Sequence, residues 1–203
     1  MGQSKNHKII KMINAKMNIE RYQQLTQRTL PDLGTYNLNI AHMIFGLNSE
    51  MNELYDAKDS VNAGEELSDT AWYISNYANF TGLKLNKIYY FSIQKKNVKW
   101  YFTRLFSSKK SLLIKLGAAI SKLTDLEKKE LAYKKQVDAE KRQVMVKDIL
   151  IALDNCYQYF NINVLDSLQK NIDKLKARYP EKFTEELANN RNLDLERKIL
   201  EGK

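Results

Sequence analysis

The residues with most to offer chemically are four acids. Glu50 and Glu53 stand three apart, and Glu66 and Asp69 repeat that spacing a short gap later. On a helix, side chains three apart lie side by side, with about 5–6 Å between their Cβ atoms. A short turn between two such helices would make them antiparallel neighbours, and the four carboxylates would converge. Converging carboxylates repel each other unless cations sit between them. Their oxygens suit hard cations such as magnesium or manganese, and magnesium also takes phosphate oxygens. A site of this kind fits phosphate chemistry, in which the metal activates water and neutralises charge. For any single pair, exposed acids on an amphipathic helix are the plain alternative. The neighbours weigh against it: Met51 and Leu54 interleave the first pair, and Leu67, Ala71 and Trp72 surround the second.

Helices must carry these acids. The periodicity predicts one over 13–29, with Ile19, Tyr22 and Leu25 on one face, broken by Pro31 and Gly34. A second starts at a cap on Thr35 or Asn37 and runs to about Lys58. Its apolar stripe is Leu38, Ala41, Ile44, Phe45, Leu47, Met51 and Leu54. Asp59-Ser60 and Asn62-Ala63-Gly64 read as a turn, followed by a helix over 64–80 that ends at Thr81-Gly82. An aromatic-rich amphipathic run covers 83–106, and Ser107 to Lys110 reads as a linker. Helices follow at about 111–135, 138–160 and 164–178, stopped by Pro180. A polar, partly helical tail remains over 181–203, and residues 1–12 read as a frayed basic lead.

Composition agrees with an all-α chain. Among 203 residues there are only 7 glycines and 2 prolines, the residues that strands and tight turns require. The apolar fraction of 43% allows a useful core, and no apolar run is long enough to span a membrane. No secretory signal is legible at the N-terminus. A single cysteine, Cys156, cannot form an internal disulfide, which fits a cytoplasmic setting. The net charge of +9 suggests a polyanionic partner, either nucleic acid or a small phosphate-rich ligand. A dispersed lysine-rich surface accounts for it equally well, and no nucleic-acid motif accompanies the lysines.

Beyond the four acids, the chain resembles the MazG-like superfamily, the all-α nucleoside triphosphate pyrophosphohydrolases related to the dimeric dUTPases. The resemblance rests on RYQQLTQRTLPDLGTYNLNIAHMIFGLNSEMNELYDA (21–57), GEELSDTAWYISNYANFTG (64–82) and NIDKLKARYPEKFT (171–184), in the family's order and similar to its phage-encoded members. It implies a MazG-like helical bundle in a host cytoplasm, with a homodimer as one expected assembly. It also implies a hydrolase that cuts (d)NTP to (d)NMP and pyrophosphate. Glu50, Glu53, Glu66 and Asp69 would hold magnesium, with manganese as a substitute, and one of them, Glu50 being favoured, would help deprotonate water. Asn76 would lie near the nucleotide. Lys174 and Arg178, one turn apart, would clamp phosphate oxygens, with Lys182 and Arg191 as weaker candidates. Many members carry a further glutamate directly before the first pair, where this chain has Ser49.

The second half can be laid over the first, pairing Gly46 with Gly117, Tyr77 with Tyr157 and Phe80 with Phe160. Ser121 and Thr124 then replace Glu50 and Glu53, and Val146 and Ile149 replace the second acid pair. The expectation is one all-α domain with a catalytic half (13–106), a degenerate structural half (107–179) related to it by a rough two-fold, and a tail (180–203). A catalytically silent basic protein of the same fold, binding nucleic acid or serving as a structural partner, stays open beside the enzyme.

Overall fold

A computed structural model of the chain describes residues 16–89 and 107–203, and all regular structure among them is helical. The basic lead and most of the aromatic run over 83–106 lie outside the described residues. Helix α1 (Ile19–Leu25) opens on Asn18, whose side chain accepts from the Arg21 N–H at 2.9 Å, and runs into a 3₁₀ turn at Thr26–Thr29. Helix α2 (Tyr36–Asp56) is capped by Thr35, one of the two caps expected.

Helix α3 (Ser60–Thr81) begins four residues before its expected start. Asp59 caps it, accepting from the Asn62 N–H at 2.8 Å, so Asn62-Ala63-Gly64 forms the first turn of the helix instead of a loop. Gly64 lies close to residues 162–167. Its carbonyl accepts from the Ser167 hydroxyl at 2.9 Å, and a Cβ on it would touch Ile162. At the other end Gly82 takes φ +73°, a left-handed value natural to glycine, and closes α3.

One turn of helix, α4 (Leu85–Ile88), precedes the undescribed segment. Two long helices follow: α5 (Lys109–Tyr133), capped by Ser108 in the expected linker, and α6 (Ala139–Tyr159). Helix α7 (Val164–Arg178) matches its expected bounds. The tail is partly helical as expected, forming α8 (Glu185–Asn189) and α9 (Leu193–Glu201), and α9 packs on α7 and α3.

Helix α3 is the hub. It packs on α2 along its length and also on α1, α6, α7 and α9, while α5 pairs with α6 and leans on α2. The stripes expected on α5 (Leu112, Leu116, Ile120, Leu123) and α6 (Ile149, Leu150, Leu153, Tyr157) are all buried. They join one apolar cluster with Met43, Leu47 and Leu54 of α2 and Leu67 and Ile74 of α3. Each such side chain contributes about 1.5–3 kcal/mol by leaving water. The stripe expected on α2 is buried at Ile44, Leu47 and Leu54 and departs at two positions. Leu38 and Phe45 are 55% and 71% exposed, and Ile40 and Met43 take the inward face. A buried polar knot also ties three helices: the Tyr77 hydroxyl donates to Glu127 at 2.6 Å, and Arg142 grips the same carboxylate.

Internal duplication is not established by these elements. What recurs is a long helical hairpin, α2–α3 and then α5–α6. Among the described residues no helix is long and apolar enough to cross a membrane.

Candidate functional site

Helices α2 and α3 run side by side as the spacing of the acids demands, and a cleft of about 780 Å³ opens at their carboxylate-bearing faces. Oxygens of Glu50, Glu53 and Glu66, one from each, lie within 4.8 Å of one another. Glu53 is exposed, and Glu50 and Glu66 are half-buried. Ser49, where the resembled family often has another acid, donates its hydroxyl to Glu53 Oε1 at 3.2 Å.

The crowding carries an electrostatic cost. Burial, then repulsion from Asp69, Glu53 and Glu66, drives Glu50 far above the ordinary carboxylate range. Burial and the charges of Asp69 and Glu65 also raise Glu66, whose hydrogen bond with Glu50 pulls the other way. A proton between Glu50 and Glu66 relieves the cluster. A divalent cation would do so more completely, and three carboxylates at this separation are the donor set a hard cation takes.

Asp69 stands apart from this trio. Its two oxygens are held by Asn171 Nδ2 at 2.5 Å and Lys174 Nζ at 2.6 Å. Lys174 is 1% exposed and also reaches Glu65 Oε1 at 3.1 Å. Burial alone would lower its pKa, but Asp69 and Glu65 more than offset that, so the ammonium stays charged. The expected phosphate clamp at Lys174 is therefore corrected: its ammonium is the internal counter-ion of the acids and does not line the cleft. The buried Tyr22 hydroxyl extends this network, 2.8 Å from Asn171 Oδ1 and 2.9 Å from the Ser68 carbonyl.

The other expected substrate contacts divide. Arg178 and Arg191 line the cleft, and both are paired with Glu196 of α9. Asn76 does not line it. The side chain is wholly buried, accepting from Thr26 Oγ1 at 3.1 Å and donating to the Trp72 carbonyl, because at its level of α3 the 3₁₀ turn closes over the helix. Lys182 is exposed and also lies off the cleft, whereas its neighbour Phe183 lines it.

An aromatic wall was missed by sequence reasoning. Trp72, Tyr73, Tyr179 and His42 all line the cleft. Trp72 and His42 meet the Tyr73 ring edge to face, with centroids at 5.0 and 5.7 Å. A signal for two of them was present: Tyr73 lies four residues after Asp69, and His42 eight before Glu50, so each shares a helix face with an acid. Burial lowers His42, which is therefore neutral at pH 7, and its Nδ1 is buried without a partner. Gly46, one turn from both His42 and Glu50, makes room for the Tyr73 ring: a Cβ there would lie 2.0 Å from Tyr73 Cε1.

Comparison of the chain with known proteins finds no matching family model, no matching curated relative and no matching solved structure.

Proposed function

We propose that this chain is a magnesium-dependent nucleoside triphosphate pyrophosphohydrolase of MazG-like type, converting a (d)NTP and water to a (d)NMP and pyrophosphate. The observation that carries the reading is the meeting of Glu50, Glu53 and Glu66 within 4.8 Å on the wall of a cleft large enough for a nucleotide. Seven carboxylates and three arginines line that cleft, so a polyphosphate would be repelled without divalent cations to bridge it. Glu50, Glu53 and Glu66 are the residues that would hold the ion. Bound there, magnesium supplies charge neutralisation on the phosphate chain and a water of lowered pKa. Asp69, which accepts from Asn171 and Lys174, ties α3 to α7 beside the site. Once a bound cation has expelled its proton, Glu50 would take the proton of the attacking water as the α-phosphorus is approached. The base would rest on the Trp72 and Tyr73 wall, and the terminal phosphates would run toward Arg178 and Arg191.

The test is incubation with a panel of NTPs and dNTPs plus magnesium, with products resolved by ion exchange. The expected products are pyrophosphate and monophosphate. Activity should vanish with EDTA and in Glu53→Gln, whose side chain is exposed and whose loss should leave the fold intact. Stepwise release of orthophosphate would refute the cleavage position. No hydrolysis together with DNA binding that falls steeply with salt would favour the silent nucleic-acid-binding alternative.

A further inference from the structure

Arg178 and Arg191 open on the cleft, yet both are committed within the chain. Arg178 Nε and Nη2 donate to the two oxygens of Glu196 at 2.8 and 2.5 Å, and Arg191 Nη2 donates to Oε2 at 2.8 Å. The Glu196 side chain is 4% exposed. A two-pronged guanidinium pair of this kind is also the arrangement that arginine makes with phosphate. Elsewhere α9 is held by Leu200, which is buried, and by the Arg197–Asp59 pair at 3.0 Å, whose side chains are 37% and 48% exposed. Exposed pairs contribute little. The hold on α9 therefore centres on Glu196, and residues 190–192 between α8 and α9 are not helical.

We propose that Glu196 is an internal stand-in for a ligand oxyanion: a phosphate chain entering the cleft displaces it from Arg178 and Arg191 and releases α9. The inference rests on the reading of the cleft as a triphosphate site. Exchange of one oxyanion for another leaves both guanidiniums paired before and after, so Arg178, 14% exposed, is not left without a counter-charge. If Glu196 stayed, an arriving phosphate would meet its carboxylate at contact distance, and departure of α9 removes that repulsion.

Calorimetric titration of the full chain with inorganic pyrophosphate and magnesium tests this directly. Glu196→Gln keeps the shape and removes the charge, and it should bind pyrophosphate about ten-fold more tightly than the parent. Equal or weaker binding would overturn the proposal and make Glu196 a brace for the arginines. Leu200→Ala loosens the apolar hold on α9 and leaves all three cleft arginines paired as before. It should give a smaller gain in the same direction, and it decides the matter if Glu196→Gln fails to fold; a loss of affinity there also counts against displacement. Limited proteolysis across 190–192 should accelerate when pyrophosphate is added, and unchanged cutting contradicts release. Triphosphate turnover separates the two readings. Turnover with no gain in Glu196→Gln removes the stand-in and leaves the hydrolase, whereas the gain without turnover does the reverse. Absence of pyrophosphate binding in all three proteins overturns displacement.

Discussion

Glu53 and Lys174 both belong to the acid cluster's surroundings and behave oppositely. Glu53 is exposed and, on the proposed reading, would serve the cation, so its loss should silence the site at little cost in stability. Lys174 is 1% exposed between Asp69 and Glu65, and Lys174→Met would strand two carboxylates against α7. Breaking a buried pair by removing one partner costs about 3–5 kcal/mol, which urea unfolding should register in Lys174→Met and not in Glu53→Gln. Glu50 and Glu66 give a pH signature. Both hold protons in the folded chain at pH values where the unfolded chain, with an ordinary value of 4.5, has lost them. Stability of the metal-free protein should therefore be greatest in mild acid and fall as pH rises above about 4.5 through neutrality. Magnesium should restore the melting temperature strongly at pH 8 and weakly at pH 5, because binding must first expel those protons. A melting temperature that rises with pH in EDTA would contradict the shared proton.

At the scale of helices, Gly46 sets how closely α2 and α3 approach. Gly46→Ala would drive a methyl into the Tyr73 ring, and overpacking of this kind costs about 1–3 kcal/mol. The cost should shrink in a Gly46→Ala, Tyr73→Ala double variant. Full additivity would show that the ring does not lie over the glycine. Much of this level was legible in the sequence. The acid spacing placed Glu50, Glu53 and Glu66 on facing helices, and Thr35, one of two caps expected, fixed the start of α2. Asn62 to Gly64 misled because turn-like composition is overridden once Asp59 nucleates a helix that packs on α7. Leu38 and Phe45 misled because a helix of mixed face does not say which apolar residues point inward until its neighbours are known. Lys174 and Asn76 were out of reach for a different reason. Whether a polar side chain faces a ligand or another side chain depends on residues distant in sequence, Asp69 in one case and Thr26 in the other.

Across the whole molecule, the charge distribution is uneven. The chain carries +9, yet acids outnumber arginines among the charged residues lining its large cleft. A triphosphate drawn to the basic exterior would be held only once metal has entered, so binding of a non-hydrolysable analogue should need divalent cation. It should saturate at about one nucleotide per chain, because such a meeting of three acids is found once among the described residues.

The position of α3 has a consequence for how the two ends of the cleft breathe. Among the described residues five helices pack on α3, so its amides should exchange with deuterium only when the whole fold opens, whereas on the displacement reading α9 leaves alone. The acid wall is then as rigid as the protein itself, and the carboxylate that closes over Arg178 and Arg191 is as mobile as the last helix. Exchange should be slowest around Leu67 to Ile74, both ends of which are fully buried, and unaffected there by pyrophosphate. Residues 193–201 should exchange orders of magnitude faster, and only they should respond to the ligand.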